Sequence, residues 1–320
     1  MVCGARDPLD RKSKYIAIVL FSALVIAYES VAIEIALNTL SLDIFLIGSI
    51  PPMIAGLILI AFNPRKTAQT ARSMSRKEWM FISILSVFVA IGVILWYDAV
   101  GRIGAGKEAI LGGGSSEVLF VVILSAIFLG ERLKRLEVLG SVLILLGVFL
   151  VLVNKDFLTF TMGTGEIEAI VSSFFLGSGA VMIARVLRDY GVLPISGIEL
   201  VYSGVILLLI GILIFPIEWP DLAGWLVMFG LGLFPAMSIL TYYAGLQAIG
   251  ASLTSVLFSL SGILTVIAQA SVLLFVDIDI QLPENLLLAM IGGMIAVIGV
   301  CLLNTRPKTN KKIPDAAPPA

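Results

Sequence analysis

The chain of 320 residues carries 21 Lys+Arg and 22 Asp+Glu, yet 59% of it is hydrophobic and its mean hydropathy is +1.08. Soluble domains hold about 25% charged and about 45–50% apolar residues, so 13% charge describes a polytopic membrane protein with no room for a sizeable soluble domain. Histidine is absent, which excludes imidazole bases, histidine-held zinc and axial histidine haem ligation, and Cys3 and Cys301 form neither a disulfide framework nor a CxxC metal motif.

In chain order, apolar runs fall at about 15–37, 43–62, 79–100, 109–130 and 137–153. They resume at about 166–187, 195–215, 222–248, 251–276 and 286–303. Each is long enough to cross a bilayer, and none shows the sustained alternation of a membrane barrel. The expectation is an all-α integral membrane protein of ten transmembrane helices. The first run follows a basic stretch (Arg6, Arg11, Lys12, Lys14), as a signal peptide does, but it is too long for an h-region and contains Glu29 and Glu34. It reads as a retained helix. With the N-terminus cytoplasmic, all but three of the 21 basic residues fall on cytoplasmic segments; Arg102, Lys107 and Lys155 are the exceptions. An error of one helix would scramble that alternation, so the split supports ten spans with both tails, 1–14 and 304–320, in the cytoplasm.

The chain also resembles itself. Tyr97-Asp-Ala-Val-Gly-Arg-Ile-Gly-Ala105 matches Tyr243-Ala-Gly-Leu-Gln-Ala-Ile-Gly-Ala251, and Gly140…Gly147-Val148 matches Gly292…Gly299-Val300 in the same order. Two halves of five helices follow, 15–153 and 166–303, joined by an external linker at 154–165. Five is odd, so the second half lies inverted relative to the first. Transporters are built this way, with the substrate held where the halves meet.

Phe128-Leu-Gly-Glu-Arg-Leu-Lys-Arg-Leu-Glu-Val-Leu-Gly140, running on to Leu145-Leu-Gly-Val-Phe-Leu150, resembles the signature that closes each half of EamA proteins in the drug/metabolite transporter superfamily. Ala248-Ile-Gly-Ala-Ser-Leu-Thr-Ser255 resembles the corresponding stretch of the second half. The resemblance implies two inverted five-helix repeats that move small metabolites by alternating access, often outward. The sequence departs from the family pattern in three places. Glu117 and Gly262 stand where a proline is frequent, Glu29 stands where a small polar residue is frequent, and Asp277 and Asp279 replace a Gly-Glu pair.

A charge inside a membrane costs about 2.5–3.5 kcal/mol on insertion scales, so each buried carboxyl calls for a reason. Glu29, beside Tyr28, and Glu117 fall at similar depth on spans 1 and 4. A carboxyl in low dielectric is able to exchange protons near neutral pH, and this chain has no histidine to do so. Substrate binding or proton coupling is the functional account; a neutral glutamate hydrogen-bonded within the bundle is the structural one. Glu34, Asp98, Lys107 and Glu108 lie nearer helix ends and are expected to snorkel, and Glu199 enters span 7 close to its cytoplasmic start.

Ser252, Ser255, Ser259, Gly262 and Gln269 share one face of span 9, lining a cavity or bonding to neighbouring helices. Gly112-Gly113-Gly114, Pro51-Pro52 and Pro235 weaken regular helix, as hinges or as static kinks. Gly113 is included among the substrate contacts. Trp96-Tyr97 and Tyr242-Tyr243 suit an aromatic belt or a substrate wall equally.

The leading expectation is a secondary transporter of small metabolites in the cell membrane, with amino-acid-like cargo, efflux and possible coupling to protons. An exchanger of phosphorylated or nucleotide-linked solutes is the alternative, opposed by the lack of mid-span basic residues. A non-transporting receptor or scaffold is the reading from another class. Enzyme activity, nucleotide loops, metal sites, cofactors and nucleic-acid partners are not expected. The expected partners are a small-molecule solute, the lipid bilayer and protons.

Overall fold

The computed structural model describes residues 8–129, 135–153, 162–249, 254, 257–276, 278 and 280–303, and these are helical apart from short connections. Helix α1 (Pro8–Glu34) widens into a π-helical turn over Ile35–Thr39. It is followed by α2 (Ile44–Phe62), α3 (Pro64–Ser73) and α4 (Arg76–Ile103). Then come α5 (Ala105–Leu111), a second π-helical turn (Gly112–Ser116), α6 (Glu117–Leu129) and α7 (Arg135–Leu152). The later part contributes α8 (Thr164–Val186), α9 (Val192–Ile214), α10 (Leu222–Leu231), α11 (Leu233–Ile249), α12 (Ser261–Leu273) and α13 (Leu286–Leu303).

Six stretches are long and apolar enough to cross a membrane, and three shorter apolar helices accompany them among the described residues. At 1.5 Å per residue, the 19 residues of α2 reach about 28 Å, close to the thickness of a bilayer core. Their outward faces carry exposed apolar side chains such as Phe62, Leu213, Leu222 and Leu226, a surface suited to lipid.

Local chemistry fixes where the helices begin. Asp43 caps α2 by accepting from the N–H groups of Phe45 and Leu46, and Ser75 forms a capping box with Glu78 at the start of α4. Helix α3 was not expected from hydropathy, because its composition is polar and basic. Asn63, which accepts from the Lys66 N–H, and Pro64 at the first helical position are the start signals that mark it.

Packing runs between early and late helices. α2 lies along α9, α7 along α13, α4 along α8, and α1 along α11 and α12. The α7–α13 seam is close because glycines face each other. A Cβ on Gly292 would sit 2.6 Å from the Gly147 carbonyl oxygen, and one on Gly299 would sit 2.6 Å from that of Gly140. Gly104, between α4 and α5, has φ +80°, and its Cα abuts the Gln281 carbonyl, so both conformation and space require glycine.

Candidate functional site

Helices α1, α2, α4, α5, α6, α8, α9, α11 and α12 surround a cavity of about 150 Å³. Four glutamates line it: Glu29 from α1, Glu108 from α5, Glu117 from α6 and Glu199 from α9. No lysine or arginine is among the described lining residues. Glu29, Glu108 and Glu199 are only 3%, 1% and 1% exposed. The aromatic wall consists of Trp96, Tyr97, Tyr242, Tyr243 and Phe258.

Partners for these carboxyls are few. Ser238 Oγ donates to Glu29 Oε2 at 3.2 Å, and Trp96 Nε1 donates to Glu108 Oε2 at 2.8 Å. Tyr243 OH reaches Glu199 Oε2 at 3.5 Å. Glu108 Oε1 and Glu199 Oε1 are buried without a hydrogen-bond partner. A buried acceptor left empty is costly, and a water, an ion or a solute in the cavity can supply the missing donor.

The π-helical turn decides what shares this space. Glu108 and Glu117 are nine residues apart, which on a continuous α-helix would put them on opposite sides, about 180° apart. The one extra residue of a π turn reduces that to about 80°. Glycines permit the wide turn, and Ser115 Oγ fills the Ile110 carbonyl at 2.9 Å while Ser116 Oγ fills that of Leu111. Glu117 thereby points into the same cavity as Glu108.

The residues singled out by sequence divide. Glu29, Glu117, Gly113, Pro52 and Pro235 line the cavity. Tyr28 does not. It is 42% exposed and borders a separate apolar groove with Leu24, Phe234 and Met237. Ser259 is buried beside Gly114, where a Cβ would lie 2.7 Å from the Ser259 carbonyl oxygen. Gly262 packs against Ala109. Phe258, Ser261 and Thr265 form the α12 side of the cavity, so the wall is rotated from the small-residue stripe by about one residue, roughly 100°. Ser252, Ser255, Asp277 and Asp279 lie outside the described residues. α2 stays helical through Pro51 and Pro52, so the prolines remove backbone bonds without ending it. The break near Pro235 falls at Gly232, and Gly112 packs against the Ala169 carbonyl and Glu108.

Gln269 belongs to a different cluster, built on Glu34. The Glu34 carboxylate accepts from Gln269 Nε2 at 2.6 Å, the Ala105 N–H at 3.0 Å and the Gln281 N–H at 2.7 Å. Beside it, Lys107 Nζ pairs with Glu166 at 2.6 Å. The expectation that Glu34, Lys107 and Glu108 snorkel is corrected, because all three are buried and each finds its partner inside the bundle. Glu108 and Glu199 were the cavity carboxyls that sequence undervalued. The general rule that an ionisable residue within a span marks function points to both.

A model of the EamA-like transporter family matches residues 13–153 and again residues 163–305. The chain belongs to this family. The signature resemblance read from Phe128–Leu150 therefore holds. An uncharacterized transporter of Methanothermobacter thermautotrophicus is 26% identical to this EamA protein over 255 residues, 77% of this chain and 70% of that one. A solved crystal structure covering 91% of this chain and 96% of its own matches with a TM-score of 0.62 at 17% identity, a likeness of fold alone. The EamA protein is thus an all-helical, multi-pass membrane transporter whose partners are a small-molecule solute and membrane lipid.

Proposed function

We propose that this protein is a secondary transporter of small metabolites in the cell membrane, working by alternating access, with amino-acid-like or related solutes as cargo and export as the direction. The observation that carries this reading is the cavity between early and late helices, walled by Glu29, Glu108, Glu117 and Glu199. Ten spans form two inverted halves, 15–153 and 166–303, with both tails cytoplasmic. Three observations support the inversion. The family match falls in two successive segments. The helix pairs exchange consistently, since α1 against α11 corresponds to α8 against α4, while α2–α9 and α7–α13 map onto themselves. The repeat-matched glycines also contact crosswise, Gly147 with Gly292 and Gly140 with Gly299, as a two-fold axis requires. Rocking of the halves would open the cavity alternately to each side.

Coupling is assigned to protons carried by Glu117 or Glu29. Glu117 has no hydrogen-bond partner among the described residues, and Glu29 has one weak donor, so a change of protonation disturbs little else. The exchanger of phosphorylated solutes is disfavoured by the lack of basic groups among the described lining residues. The test is reconstitution in liposomes with an internal pH-sensitive dye, challenged with pooled metabolites beside Glu117→Gln and Glu29→Gln. Metabolite-dependent proton flux lost in either variant is the expected result. Solute movement without proton flux, equal in all three proteins, would overturn coupling and leave an exchanger or uniporter.

A further inference from the structure

Resting on the transport reading, we propose that the cargo is an organic diamine without a carboxylate, held by two carboxyl–aromatic cages at either end of the cavity. One cage joins Trp96 and Tyr97, with ring centroids 4.9 Å apart, to Glu108 and Glu29. The other joins Tyr242, Tyr243 and Phe258 to Glu199 and Glu117, with Tyr242 and Phe258 centroids 4.6 Å apart. Tyr97 and Tyr243 are the matched residues of the internal repeat, six positions before the ends of α4 (Ile103) and α11 (Ile249). In the inverted arrangement those ends face opposite sides of the membrane, so the cages do too.

An ammonium group suits each cage twice over. It donates to a carboxylate acceptor, and it is attracted to the faces of aromatic rings. Glu108 and Glu199, one in each cage, line the cavity and each keeps one buried, unpartnered carboxyl oxygen (Oε1), so each carboxyl has acceptor capacity left for an ammonium donor. A free carboxylate on the solute would meet four glutamates and no described lysine or arginine, a like-charge arrangement that a low-dielectric cavity makes worse. This narrows the amino-acid-like and related solutes of the transport reading: within that class zwitterionic amino acids are poor cargo, and their decarboxylated, amine-bearing relatives are good cargo.

The test is calorimetric titration of the purified full-length protein in detergent with four probes of equal carbon number: putrescine, n-butylamine, α-aminobutyrate and butyrate. Putrescine is expected to bind at least about tenfold tighter than n-butylamine, with no heat from the zwitterion or the anion at millimolar concentration. Glu108→Gln and Glu199→Gln keep side-chain shape, and each is expected to weaken putrescine about tenfold while eluting as the wild-type protein does on size exclusion. Binding of α-aminobutyrate or butyrate as tight as that of putrescine, putrescine no tighter than n-butylamine, no putrescine binding, or two unaffected variants would each overturn the proposal. Failure is separable from failure of the transport reading: liposomes that move zwitterions but not diamines keep the transporter and lose the diamine. Diamine binding without any flux does the reverse.

Discussion

Glu29, Glu34, Glu108, Glu166 and Glu199 are buried and Glu117 is half-buried in the cavity, and their partners sort them into two kinds. Glu34 is saturated: two backbone N–H groups and the Gln269 amide converge on it. Glu34→Ala would strand those donors, at about 1–3 kcal/mol for each buried group left unpaired, so a clear drop in thermal stability in detergent is expected. Glu117 has no such partners among the described residues, so Glu117→Gln should change stability by less than about 0.5 kcal/mol while removing proton-coupled flux. A Glu117→Gln protein as destabilised as Glu34→Ala would make Glu117 structural. Lys107 and Glu166 form a buried pair, and breaking one side of such a pair costs about 3–5 kcal/mol, so Lys107→Met alone should be far worse than Lys107→Met with Glu166→Leu.

Helices meet here through glycines, and each glycine has a different reason. Gly113, on the π turn, has nothing within 4 Å of where a Cβ would stand, so Gly113→Ala should fold as well as the parent, up to about 1 kcal/mol more stably, and act only by narrowing the cavity. Its neighbour Gly114 faces the Ser259 carbonyl at 2.7 Å, and Gly292 faces the Gly147 carbonyl at 2.6 Å. Gly114→Ala and Gly292→Val should each cost about 1–3 kcal/mol by overpacking, measured as lowered unfolding temperatures. Equal behaviour of Gly113→Ala and Gly114→Ala would refute the packing assigned to that turn.

The whole molecule stands on its membrane topology. In a background with Cys3 and Cys301 replaced by serine, a cysteine at Ser73 at the end of α3 should react with a membrane-impermeant maleimide only from the cytoplasmic side. One at Trp219, between α9 and α10, should react only from outside. Labelling of both from one side would contradict ten alternating spans.

The all-helical, multi-pass class and the family were legible in the amino-acid order, because bilayer thickness imposes a one-dimensional pattern of long apolar runs. Glu29 and Glu117 were legible for the same reason: a charge far from a helix end has no exit to water. Which other residues join them was not legible. Glu108 and Glu199 lie nearer helix ends, and their environment depends on which neighbours cover them. The rotation that brings Glu108 and Glu117 to one cavity comes from a π turn that sequence marks only as a run of glycines. Tyr28, next to Glu29, points elsewhere because 100° per residue separates neighbours on a helix, whereas Gln269 lies one turn beyond the cavity-lining Thr265 and meets Glu34 and Gln281 instead. Sequence by itself determined the helical, multi-pass class and the family, and only the packing of early against late helices decided which carboxyls share one space.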